Sequence, residues 1–150
     1  ALGAGMGLAA CCDILLAAET AVFGLPEVDV GLMGGGRHTQ RICGHSLTRR
    51  MMITGDRMSG AEFYRRGIVE ACVPLDQLMP TAMDMARRIA AKSPLASRTA
   101  KHAASTIEFM TLRDGYRFEQ NMTAELSKSE DAKEAMRAFA EKRAPVFQGR

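Results

Sequence analysis

Nine of the chain's fourteen glycines fall within its first 45 residues, and the other five are spread over all that follows. A stretch so rich in glycine resists long regular elements, because glycine has the most backbone freedom to lose and no side chain to pack. It suits tight turns, close backbone approaches and short helix starts. Beyond residue 45 the pattern changes to apolar stripes at helical spacing. The sequence therefore predicts a small α/β part over 1–45 and a larger helical part over 46–150. No repeat, low-complexity run or linker separates them, so they read as one folded unit.

The 150 residues are 47% hydrophobic and 25% charged, a globular balance that argues against disorder. Charges interrupt every apolar stretch well before the ~20 residues that a membrane helix needs. No basic segment precedes the apolar opening, as a secretory signal would require. Cys11, Cys12, Cys43 and Cys72 show neither metal-ligand spacing nor a staple framework. They read as reduced thiols, mostly buried, in a cytoplasmic protein. The net charge of +3 is scattered as Arg49-Arg50, Arg65-Arg66 and Arg87-Arg88, and aromatics are only 5%, so a nucleic-acid partner is not expected. The chain opens on Ala1-Leu2-Gly3, an apolar, glycine-rich beginning of the kind found inside a domain, and is expected to be a portion of a longer fold.

Local signals divide the chain further. Gly5–Cys12 suits a short buried helix, Asp13–Ala18 a buried strand and Ala21–Gly24 a second strand. Leu25-Pro26 ends regular structure, since the residue before proline avoids helical backbone. Gly34–Gly36 turns into a helix containing Gln40 and Arg41, and Ser46–Thr54 forms another, ended by Gly55. Ser59 and Glu62 make a capping box whose helix stops at Gly67. Ile68–Val73 reads as a strand. Leu75, Leu78, Met79, Ala82, Met85, Ala86, Ile89 and Ala90 share one helical face. Further helices begin at Ser93-Pro94, span 112–126 and open at Ser129, the last with Ala132, Ala135, Met136, Phe139 and Ala140 facing inward.

Two places can carry chemistry. Gly3-Ala4-Gly5-Met6-Gly7 leads straight into a helix, whose free amides and dipole favour a phosphate or a developing oxyanion. Tight helix packing is the structural alternative, and the spacing does not match a dinucleotide-binding loop. Glu27, in the apolar turn Phe23–Val28, suits proton transfer. A solvent-facing or capping glutamate is its alternative. His38, His45 and His102 form no constellation with serine, cysteine or aspartate.

These residues also carry a resemblance. The run Ala1-Leu2-Gly3-Ala4-Gly5-Met6-Gly7-Leu8-Ala9-Ala10-Cys11-Cys12-Asp13-Ile14 resembles the enoyl-CoA hydratase/isomerase (crotonase) superfamily. So do Phe23-Gly24-Leu25-Pro26-Glu27-Val28 with Gly31-Leu32, Thr39-Gln40-Arg41, Thr54–Ser59 and Glu134–Arg143, in order. The match implies an α/β fold, the ClpP/crotonase-like β-β-α spiral core. Residues 1–45 would be the C-terminal part of that core and 46–150 a helical trimerisation region, with the N-terminal half of the family fold absent.

The resemblance further implies an acyl-CoA substrate and an enolate held in an oxyanion hole, with the Ala4 amide as one of its two donors. It implies Glu27 as the acid/base and Gly35 as a backbone donor to water. Gly5, Met33, Phe139 and Lys142 become substrate-binding residues, the last two near the adenosine end of CoA on a neighbouring subunit. Lys142 reads equally as one more solvated lysine. No metal and no cofactor beyond CoA in the substrate are implied, and homo-trimers or hexamers are. One family carboxylate is missing, since Gly7 stands where hydratases carry their first glutamate. Double-bond isomerisation or hydration/lyase chemistry with a single glutamate is therefore expected, and a catalytically inactive scaffold or binding protein is the alternative. Arg37 and His38 replace small residues beside Gly35. They reshape the pocket, meet a charged acyl group, or face solvent.

Overall fold

A computed structural model describes residues 1–150. They divide into two compact units, Ala1–Met83 and Asp84–Arg150.

The first unit begins with helix α1 (Ala4–Ala10), followed by strands β1 (Leu16–Ala18) and β2 (Val22–Gly24) and a 3-10 turn (Pro26–Val30). Helix α2 (Gly36–Thr54), strand β3 (Arg57–Ser59), helix α3 (Gly60–Arg65) and strand β4 (Ala71–Val73) complete the order, and helix α4 (Leu75–Ala90) runs across the unit boundary. β1 pairs in parallel with β4, Ala17 opposite Cys72. β2 pairs antiparallel with β3, Phe23 opposite Met58, and Leu2 adds a parallel bridge to Gly24.

Met6, Ala17, Phe23, Leu25, Leu47, Met51, Met58, Phe63 and Val69 form the core. Phe23 and Phe63 stack with ring centroids 4.2 Å apart, which ties β2 to α3. Burying each large side chain here contributes roughly 1.5–3 kcal/mol. Gly60 lets α3 start against β1, because a Cβ there would lie 2.5 Å from the Ala18 carbonyl oxygen.

Several local expectations shift in detail. The two helices expected around Gly44 are one element with a break, since Gly44 has φ 68 and ψ −179 and interrupts the helical backbone. The expected strand Asp13–Ala18 shortens to Leu16–Ala18, and Ile68–Val73 shortens to Ala71–Val73, because only these residues find a ladder partner. The segment after Leu25 is not irregular. Proline at the first position of the 3-10 turn lacks only an amide that has no partner there, so the element forms. The cysteines are less buried than expected. Cys11 and Cys12 are exposed, while Cys43 and Cys72 are half-buried.

The second unit holds α5 (Pro94–Ile107), α6 (Leu112–Leu126) and α7 (Glu130–Ala140), and α5 packs on α6. Ser93, Thr111 and Ser129 cap them, each hydroxyl accepting from the amide three residues on. The inner face expected for α7 holds only in part, with Ala132 and Ala135 half-buried and Ala140 exposed. Met136 and Phe139 are 64% and 87% exposed, and Asp131 and Ala138 are the buried residues. The reason is the C-terminal tail. Asp131 and Glu134 turn inward to accept its amides, Gln148 and Gly149 on Asp131 and Val146 on Glu134. Asp131 also accepts from the Ser93 hydroxyl. No helix of the chain is long and apolar enough to cross a membrane.

Candidate active site

Three backbone turns of the first unit converge on one carboxylate. Gly3 precedes α1 with φ 54, a left-handed conformation open to glycine at little cost. Its amide donates to the Gly24 carbonyl at 3.0 Å, which anchors the head of α1 to β2. The 3-10 turn then brings Glu27 back beneath it, so that a Cβ on Gly3 would stand 3.0 Å from Glu27 Oε1. From the other side, the position of a Cβ on Gly34 lies 3.6 Å from the same oxygen. Gly35 caps α2 with φ 71, where a side chain would strike Leu25 Cδ2 at 2.6 Å and approach the Gly3 carbonyl oxygen at 3.8 Å.

Glu27 Oε2 is buried and has no hydrogen-bond partner within the protein. A buried polar atom without a partner costs free energy, and such atoms concentrate where a ligand or a proton is handled. Ala4, next to Gly3, is the first residue of α1. Its amide belongs to the first helical turn, where amides have no intrahelical acceptor and meet negative charge favourably. The site thus offers an oriented amide, a carboxylate with a free oxygen and a second glycine turn.

The expected site residues fall as follows. Ala4, Glu27 and Gly35 lie around this one convergence. Gly5 sits in the first turn of α1, and Met33 borders Gly34 with its side chain 75% exposed. Gly7 lies on the same helix, and a Cβ there would meet nothing within 4 Å. Arg37 and His38 are exposed in the first turn of α2. Phe139 and Lys142 belong to the second unit, Phe139 in α7 and Lys142 just past its end with φ 55. The sequence placed Gly3 in the candidate oxyanion opening but gave no sign that it and Gly34 stand against Glu27. Helix-start glycines are the one signal that pointed toward the two.

Comparison with known proteins agrees over the whole chain. The enoyl-CoA hydratase/isomerase family model matches residues 1–150. A probable mitochondrial enoyl-CoA hydratase of Dictyostelium discoideum is 39% identical over 150 residues, covering 98% of this chain and 54% of that protein. The 2,3-dehydroadipyl-CoA hydratase of Escherichia coli (strain K12) is 37% identical over 153 residues, covering 100% of this chain and 60% of that protein. Among solved structures, an enoyl-CoA hydratase from Bacillus anthracis superposes with TM-score 0.95 at 33% identity, covering 100% of this chain and 59% of that one. The chain spans just over half the length of the relatives that it matches.

Proposed function

The chain belongs to the enoyl-CoA hydratase/isomerase family and has its crotonase fold, and from that premise we propose that its protein acts on an acyl-CoA thioester with Glu27 as the single acid/base. The carrying observation is the buried, unpartnered Oε2 of Glu27 beside the head of α1. In this reading the thioester carbonyl oxygen accepts from the Ala4 amide. The oxygen then bears the charge of the enolate, and a donor held in place for that charge lowers the barrier. Glu27 takes a proton from C2 of a 3-enoyl thioester and returns it to C4, so the double bond moves to C2–C3. The Gly35 amide, at the start of α2, serves in this reading as a further backbone donor.

Gly7 favours this order of steps over hydration by two carboxylates, because a glycine transfers no proton. Hydration is the second reading, supported by relatives that are named hydratases. There Glu27 alone activates the water. The scaffold alternative draws on Gly7 as well, but it leaves the orphaned Glu27 oxygen without a purpose.

Phe139 and Lys142 are proposed to meet the adenosine end of CoA bound to a neighbouring subunit. The uncovered apolar side chains of α4 and α7, such as Leu75, Met79 and Met136, fit a trimeric or hexameric assembly. Residues 1–45 then carry the oxyanion helix and the Glu27 turn, and 46–150 supply the helical region. The unpaired cysteines suit a reducing compartment such as the cytoplasm.

The test is turnover of trans-3-enoyl-CoA and trans-2-enoyl-CoA in D2O by the full-length gene product, followed by mass spectrometry. The proposal expects double-bond migration without the mass of an added water. Addition of water would favour the second reading, and inertness toward both would sink the enzymatic one.

A further inference from the structure

The protein has eight residues at positive φ, and seven of them are glycine. The eighth is Lys142, at φ 55. It closes α7 in a two-bond turn, in which the Lys142 amide donates to Phe139 and the Arg143 amide to Ala138. Helix α3 ends in the same bond pattern, with the Gly67 amide on Tyr64 and the Ile68 amide on Phe63, and there the left-handed residue is glycine. A β-carbon in that conformation carries a steric cost that glycine escapes. The chain thus uses the unstrained residue at one helix end and a strained lysine at the other.

The residue after the lysine holds the strained turn in place. Arg143 grips Glu134 with both terminal nitrogens, at 2.5 and 3.1 Å, and Glu141 with Nε at 2.5 Å. Glu134 is itself fixed, with its side chain only 15% exposed and the Val146 amide donating to it at 3.0 Å. A planar fork across two carboxylates orients the backbone it hangs from in a way that a flexible point charge does not. Phe139 and Lys142, four residues and one residue before Arg143, stay exposed, and their side chains make none of the hydrogen bonds or ion pairs of the clamp.

We propose that Arg143 is a positioning residue, clamped between Glu134 and Glu141 to fix the left-handed turn that presents Phe139 and Lys142 to the nucleotide end of a CoA thioester. The proposal rests on the reading of those two residues as the CoA contact. It adds to that reading the residue that sets their geometry and the reason for a strained lysine where α3 has glycine.

The test compares one enoyl group carried on CoA and on pantetheine, which lacks the phosphorylated nucleotide. Wild type should show a higher kcat/KM with CoA. Arg143→Gln should lower kcat/KM for the CoA thioester about tenfold through KM, the scale of one charge-assisted contact, and leave the pantetheine thioester unchanged. If Arg143→Gln does not fold, Arg143→Lys takes its place, with a smaller loss confined to CoA. Lys142→Gly should keep or raise the Tm and still lose the CoA preference. Equal losses on both thioesters, or no loss on either, would overturn the positioning role. A wild type blind to the nucleotide would instead defeat the CoA reading beneath it.

Discussion

Gly3 and Glu27 are in a tight contact, with Oε1 of the glutamate 3.0 Å from where a Cβ on Gly3 would sit, so that a side chain there would push the carboxylate aside. The glycine's left-handed backbone and the glutamate's position are therefore one feature of the fold. Changing the first moves the second.

Gly3→Ala tests that coupling. The methyl group meets both a positive φ and the carboxylate, so the variant should lose about 1–2 kcal/mol of stability. Turnover should fall further than stability alone explains, because the displaced group is the acid/base. Thermal unfolding and steady-state kinetics on the same sample check it. A stable variant with unchanged kcat would separate Glu27 from the chemistry.

Gly7→Glu probes the missing carboxylate. A Cβ at Gly7 meets nothing within 4 Å, and replacing a helical glycine improves helix propensity by roughly 0.5–1 kcal/mol. The Tm should hold or rise. Hydration of trans-2-enoyl-CoA should increase, because a second carboxylate can then orient the water. A folded variant with no gain in hydration would show that the acyl pocket does not admit water beside Glu27.

The C-terminal tail should loosen in acid. The Arg143 guanidinium, with the Val146 amide, holds the Glu134 carboxyl down from 4.5 to about 2. The Ser93 hydroxyl, with the tail amides, keeps Asp131 below its usual range. Both groups are depressed in the folded state, so their stabilisation is complete above the unfolded value near 4.5. It is lost as pH falls toward 2. Hydrogen-exchange protection of the Val146, Gln148 and Gly149 amides, corrected for intrinsic rate, should drop across that window. Constant protection would mean that the carboxylates do not hold the tail.

What the sequence made legible was what one turn of chain decides. Ser59, Ser93 and Ser129 cap the helices they were expected to cap, and Gly55 and Gly67 end theirs, because a cap involves only residues three or four apart. Elements that depend on distant partners were misjudged. β1 is three residues long because β4 offers it three partners, and α7 faces inward with Asp131 because the tail some seventeen residues on needs acceptors. The site divides the same way. Glu27, Ala4 and Gly35 stood out through ordered motifs. Gly3 and Gly34 became walls of the site only when three separate turns were folded onto one carboxylate.

The most direct measurement is the turnover of Glu27→Gln in the full-length gene product, with Gly35 and Ala4 untouched and folding verified by circular dichroism. Glutamine keeps the shape and fills the same space, but it cannot carry a proton. If Glu27 is the lone acid/base, isomerisation of trans-3-enoyl-CoA should fall at least ~10²-fold, while KM and Tm stay close to wild type. Turnover within a few-fold of wild type would contradict the account, because glutamine at position 27 cannot carry the proton that the account assigns to it.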